Sequence, residues 1–151
     1  MPATKNPPHQ KSRAWPAPTG KVRLLLPLAY TAAIFALSSI PDTANPETGL
    51  ERALQWASPE LQNLLHIPLF GGLAWCWDWG LQWWVKQESW RLGAALALTL
   101  AYSVLDEIHQ LGVPGRFGSL TDVALNTAGA VLALAVIAAG QRAKGNARAE
   151  S

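Results

Sequence analysis

Four long apolar runs, separated by polar or Gly- and Pro-rich stretches, set the plan of this chain. Residues 22–40 are almost wholly apolar, and about 19 residues of helix match the hydrocarbon thickness of a bilayer. Pro27 falls early in that run, where a missing N–H costs little. The second run, 59–79, opens on Ser58-Pro59-Glu60, which reads as an N-cap, a first-position proline and a first-turn acid. It carries Asn63, His66, Pro68 and the pair Gly71-Gly72, which allows close helix contact. A third run spans 92–109, with Gly93, Ala97 and Ala101 repeating every four residues as a packing face. The fourth spans 120–139, beyond a turn at 112–118 built on Pro114-Gly115. The pattern predicts an all-α fold: an integral membrane bundle of four transmembrane helices over residues 21–140. Residues 1–20 read as a disordered basic cytoplasmic tail and 141–151 as a second cytoplasmic tail. A short surface helix is expected at 50–56.

Composition agrees with a membrane class. Half the residues are hydrophobic and 15% are charged, a low share for a soluble domain. The lone Cys76 excludes a disulfide framework and a multi-cysteine metal site, and reads as a small apolar helix residue. The first run could serve as a signal peptide, but it is long for one and lacks a clear cleavage motif, so a retained helix is expected. Trp75, Trp77, Trp79, Trp83, Trp84 and Trp90 cluster where the second run ends and the third begins. Indoles settle at the headgroup level, so this is an aromatic belt. A nucleic-acid stacking platform would need more cations than Lys86 and Arg91, and no nucleic-acid partner is expected.

Charge bias orients the helices. Lys5, Lys11, Arg13, Lys21 and Arg23 precede the first helix with no acid among them. Lys86 and Arg91 oppose Glu88 in the second loop, and Arg142, Lys144 and Arg148 follow the fourth helix. The first loop holds Asp42, Glu47 and Glu51 against Arg52. Both termini are therefore expected in the cytoplasm, in a multi-pass protein of the inner (plasma) membrane. The 112–118 turn then faces outward, and the tryptophans face inward.

That topology gathers polar residues from three segments at one depth. His66 lies near the outer end of the second helix. Asp106, Glu107, His109 and Gln110 end the third helix; Ser119, Asp122 and Asn126 open the fourth, with Arg116 in the turn. Ser119, Asp122, Asn126 and Gly129 fall within roughly an 80° arc of a helix. Plainer readings stand beside a functional one. Ser119 and Asp122 have capping-box spacing. Asn126 could be a helix–helix hydrogen bond, Arg116 a lipid-phosphate contact, and the histidines satisfied or solvated residues. Asp106 beside Glu107 is harder to dismiss, because adjacent acids ending an apolar helix disfavour joint ionisation unless hydrogen bonds or a cation compensate.

LLHIPLFGGLAW, followed by AYSVLDEIHQLGVPGRFGSLTDVALNTAGAVLA, resembles the VanZ-like membrane proteins. The shared pattern is a His on the second helix, then D-E-x-x-Q, then P-G-R-x-x-S-x-x-D-x-x-x-N-x-x-G. Here those positions are His66, Asp106, Glu107, Gln110, Pro114, Gly115, Arg116, Ser119, Asp122, Asn126 and Gly129, within residues 64–133. The family is named for a protein associated with resistance to the glycopeptide teicoplanin. The resemblance implies a role at the cell envelope and no settled reaction.

Three functions compete. The first is binding or processing of a lipid-linked, phosphate-bearing or cell-wall precursor at the outer leaflet of the lipid membrane. Arg116 would grip an anion in fork geometry, with Gln110, Ser119 and Asn126 also binding substrate. His66 and Glu107 would do acid–base work, while Asp106 or Asp122 orients the histidine or holds a divalent cation. The second is a non-catalytic scaffold that uses the cluster as glue. The third, a proton-coupled exporter, wants an acid at mid-membrane, yet Glu107 stands roughly 10 Å from the middle of its helix at 1.5 Å per residue.

Overall fold

The computed structural model of the chain describes residues 20–42, 48, 49, 52 and 59–150. Four long helices make up the fold: α1 (Gly20–Ser38), α2 (Pro59–Leu81), α3 (Glu88–Gln110) and α4 (Leu120–Ala149). Among the described residues there is no strand. The expected tail at 1–19 and the Ser58 cap lie outside the described residues. Of the expected 50–56 helix only Arg52 is described, its amide on the Thr48 carbonyl at 3.2 Å.

Helix α2 is the centre of the bundle, packing on α1, α3 and α4. Its pairing with α4 is the most extensive, and Gly71 and Gly129 explain why. A Cβ on Gly71 would stand 3.1 Å from the Gly129 carbonyl oxygen, and one on Gly129 would collide with the Ile67 carbonyl. Only glycine lets the two backbones meet that closely. Helix α1 turns a narrow stripe inward: Gly20, Pro27, Ile34 and Ser38. Pro27 sits well inside this helix rather than in its first turns, because the helix begins at Gly20. Its ring packs on α2 at Gly80, where a Cβ would lie 3.1 Å from Pro27 Cγ.

Two expectations about α3 and α4 need correction. The small face of Gly93, Ala97 and Ala101 is exposed, and no atom lies near a Cβ placed on Gly93. The inward face is instead Arg91, Ala95, Thr99, Ser103, Asp106 and Gln110. The polar side chains must turn toward partners, which rotates the small residues outward. Helix α4 also runs past 139 to Ala149, since Arg142, Ala143 and Lys144 favour helix as much as solvent.

The interior is unusually polar. Nine hydrophobic residues are buried, against ten polar or charged ones among the described residues. Phe70, Leu73 and Ile34 form one apolar cluster, and Ala74, Ala95, Ala130 and Leu134 form another. Outside, Leu25, Leu28, Leu105, Ile108, Leu132 and Val136 are all more than half exposed. Two helices, α1 and α4, are long and apolar enough to cross a membrane, and only 17% and 22% of their apolar windows are buried.

Candidate functional site

The α3–α4 turn is built by its sequence. Val113-Pro114-Gly115-Arg116 forms a β-turn closed by Arg116 N–H to the Val113 carbonyl at 3.0 Å. Proline at the second position and glycine with φ +77° at the third are the type II signature. Gly115 also packs on the Asp42 backbone, leaving no room for a Cβ. The Asp42 amide donates to the Pro114 carbonyl at 3.1 Å, and Arg116 Nε donates to the Ile40 carbonyl at 3.1 Å. The turn is thereby tied to the end of α1.

Beneath it, Asp106 is fully engaged. Its Oδ1 accepts from Ser38 Oγ of α1 at 2.6 Å and from the Tyr102 hydroxyl at 3.5 Å. Its Oδ2 accepts from Gln110 Nε2 at 3.1 Å. Hydrogen bonds thus compensate this one of the two adjacent acids, and they bind α3 to α1. His109 belongs to the same contact, with Nε2 2.9 Å from Ser39 Oγ and its ring against Phe35. Ser38 was not singled out from sequence. Its signal was a hydroxyl on an otherwise apolar helix, at the depth of the acids.

Asn126 sits fully buried between α2 and α3. Its Nδ2 donates to Ser103 Oγ at 2.9 Å, and its Oδ1 lies 2.9 Å from His66 Nδ1. With the amide turned this way, Nδ1 carries the ring proton and Nε2 keeps a lone pair. Phe70 lies parallel to the His66 ring, one helical turn on, with centroids 6.2 Å apart. Asn126 is therefore a helix–helix hydrogen bond that also sets the histidine's tautomer.

Glu107 and Asp122 part company. Ser119 caps α4, its Oγ accepting from Thr121 and Asp122 amides at 3.1 and 3.4 Å. In a capping box the acid three residues on would take the Ser119 amide. Here Glu107 Oε2 takes it from the neighbouring helix, at 2.8 Å. Asp122 is released from that duty. Glu107 Oε1 and Asp122 Oδ1 are both buried without a hydrogen-bond partner. Such acceptors are costly, and the one on Asp122, which lines a cavity, is open to a donor from a ligand.

A cavity of about 760 Å³ opens among α1, α2 and the turn. His66, Asp122, Ser119, Arg116, Gln110 and Asp106 reach its lining, and Ile34, Leu37, Leu65, Leu69 and Phe70 form apolar walls. Glu107 and Asn126 do not line it; they stand one layer behind. Of the eight residues expected at the site, six thus share one cavity and two support it. Among the described residues no group of three or more His, Cys, Asp and Glu side chains is placed to hold a metal ion.

A second polar network occupies the opposite end. Asp78 of α2 pairs with Arg91 Nε of α3 at 2.8 Å, both buried. Gln82 donates to Asp78 at 3.4 Å and accepts from Arg23 Nη1 at 3.4 Å. Turned to suit its neighbours, Gln141 of α4 donates to both Glu88 oxygens and accepts from Arg91 Nη2 at 3.3 Å. The sequence pattern puts Arg91 in the second loop, opposing Glu88; it is a helical residue whose buried partner is Asp78. An aspartate within an apolar, Trp-rich helix was the available signal, and the tryptophans drew the reading away from it. The Trp83, Trp84 and Trp90 side chains are exposed around this end, and Arg23 and Lys86 stack on Trp79 and Trp83.

Comparison with known proteins finds no match among curated proteins or solved structures. A family model described as VanZ/LLP1 matches residues 4–140, well beyond the 64–133 segment that carries the motif. The chain belongs to the VanZ/LLP1 family.

Proposed function

We propose that this is a four-span membrane protein whose turn-end cavity binds, and positions for reaction, a lipid-linked phosphate or related cell-wall precursor at the outer leaflet. The observation that carries this reading is the amphipathic cavity. A guanidinium, a histidine and a carboxylate line about 760 Å³ of largely apolar space. That volume suits a ligand, and the mixed lining suits one with a charged head and a hydrocarbon body. The polar interior and apolar exterior support a lipid surrounding, because large exposed apolar surfaces are rare on soluble monomers.

Arg116 is the anion contact. Its Nε is anchored on Ile40, and the Nη nitrogens make no hydrogen bond among the described residues. His66 Nε2 is the proton acceptor, and Asp122 is the acid that faces the ligand. Glu107 positions Ser119 and the start of α4, and Asp106 and Asn126 hold the helices. The scaffold reading is favoured only for those supporting residues, whose hydrogen bonds hold the cavity-lining Ser38, Gln110, Ser119 and His66 in place. An exporter gains no support, since Phe70, Leu73, Ala74, Ala95 and Ala130 form an apolar block between the two polar ends.

The termini are placed in the cytoplasm and the chain in the plasma membrane. Helix α4 is 30 residues, or about 45 Å, long, which exceeds a bilayer core of about 30 Å. Its excess carries Arg142, Lys144 and Arg148, all exposed. A link to glycopeptide resistance follows from the family name. It is tested by growth in teicoplanin of cells with and without the protein.

The binding test uses the purified full chain in detergent with geranyl phosphate and, as control, geraniol. The phosphate should raise the melting temperature far more than the alcohol, and Arg116→Lys should weaken its binding about tenfold, the cost of losing the fork. Equal shifts by phosphate and alcohol would rule out anion recognition at this cavity.

A further inference from the structure

A second hollow lies on the outside of the bundle, in the seam between α2 and α4. Its volume is about 520 Å³, and Ile67, Gly71, Trp75, Gly129, Ala133 and Val136 are among its walls. No charged side chain lines it. The floor exists because the two helices nearly touch: a Cβ on Gly71 would stand 3.5 Å from Ala133 Cβ. Trp75, Leu132 and Val136 rise at the sides, 49%, 59% and 72% exposed. Pro68 lines both this groove and the turn-end cavity, so the two spaces adjoin.

We propose that the groove between α2 and α4 seats the hydrocarbon chain of the same ligand whose phosphate meets Arg116, which makes that ligand a long-chain lipid phosphate. This rests on the anion-binding reading of the cavity. Three features select the ligand's own chain over other occupants. The groove lies against the cavity, with Pro68 as their shared wall. It runs away from the turn along nine residues of α2, Ile67 to Trp75, a rise of about 12 Å. It is apolar throughout, so it offers a polar head nothing and a chain a full lining. A chain that leaves the cavity over Pro68 meets the seam directly, because Pro68 is a wall of both. Short-chain phosphates would fill the cavity alone and forgo the groove.

Photocrosslinking distinguishes the possibilities. The full chain is placed in phosphatidylcholine nanodiscs containing a trace of polyprenyl phosphate of eleven isoprene units. A p-benzoylphenylalanine is introduced singly at Leu37 in the cavity, Val136 in the groove, or Val104 on the exposed face of α3. The expected result is capture of the polyprenyl phosphate at Leu37 and Val136, each about tenfold above its mole fraction, with Val104 tracking bulk lipid. Arg116→Ala should return the Val136 signal to the bulk level, since the head anchors the chain. Enrichment at Leu37 but not at Val136 would overturn the groove and leave the cavity reading intact. No enrichment at either would overturn both. Crosslinks at Val136 joining two protein chains, with no lipid captured, would make the seam a self-interface and also overturn the proposal.

Discussion

The two ends of this bundle bury charge to the same depth and use it differently. At the tryptophan end, charge is balanced. Arg23, Gln82, Asp78, Arg91, Gln141 and Glu88 form a chain of contacts that touches all four helices. At the turn end three acids, Asp106, Glu107 and Asp122, are buried beside one half-buried arginine and His66. Two carboxylate oxygens there have no donor, and a cavity opens next to them. Arg23 Nε and the Trp77 indole N–H also lack partners at the tryptophan end, but only the turn end sets an orphan acceptor, on Asp122, in the wall of this cavity. Paired charge locks a fold, whereas an unpaired acceptor costs stability and is kept where something else completes it.

The largest expected effect lies at the locked end. Arg91→Ala leaves Asp78 buried with only a long amide contact from Gln82. Removing one partner of a buried pair costs about 3–5 kcal/mol. The variant should fail to accumulate as a monodisperse peak in size-exclusion chromatography of the detergent extract. The double change Asp78→Asn with Arg91→Gln should recover much of the loss, because no lone charge is then buried. A stable single variant would show that this end is not a lock.

Asp106 and Asp122 sharpen the contrast within the turn end. Asp106→Ala orphans the Gln110 amide, at about 1–3 kcal/mol, and breaks the α1–α3 bond to Ser38, leaving the Ser38 and Tyr102 hydroxyls to the Ile34 and Thr31 carbonyls. Thermal unfolding should fall sharply. Asp122→Asn removes a carboxylate that already lacks a donor at Oδ1, so its cost is limited to the helix-start charge term, about 0.3–1 kcal/mol. It should unfold near the native temperature yet lose function, read as phenotype normalised to folded protein. If the two substitutions had equal effects on melting, the division between structural and working acids would collapse.

Sequence alone carried the helices and the members of the turn-end cluster but not this division, and its limits are physical. Helix placement was legible because long apolar runs and Gly-Pro turns act locally. Convergence of His66, Arg116, Ser119 and Asp122 followed from topology, which needs no side-chain geometry. The facing of α3 was misjudged because a small-residue repeat and a polar stripe compete for the same interface, and only packing decides. The exchange of capping partners was invisible, since the Ser119 amide could be met by Asp122 within its helix or by Glu107 from the next. Asp78 and Arg91 lie 13 residues apart across a loop, a pairing with no helical spacing to announce it.

The smallest expected effect is at Glu107, and it tests where the wall of the site lies. Glu107 Oε2 accepts the Ser119 amide at 2.8 Å, and the side chain does not line the cavity. Glutamine keeps a carbonyl oxygen for that amide and gives up only a charge near the α4 N-terminus, about 0.3–1 kcal/mol. Its new NH₂ also occupies a place where Oε1 had no partner. Glu107→Gln should therefore melt within a few degrees of the native protein, bind geranyl phosphate with unchanged affinity and keep the cellular phenotype. Glu107→Ala differs, because the Ser119 N–H loses its acceptor and α4 loses its cross-helix cap, at about 1–3 kcal/mol. The pair separates hydrogen bonding from charge. A stable Glu107→Gln protein without function would mean that the carboxylate itself takes part in the chemistry. The acid at work would then be the one behind the wall, reached through Ser119, and Asp122 would lose its claim to face the ligand.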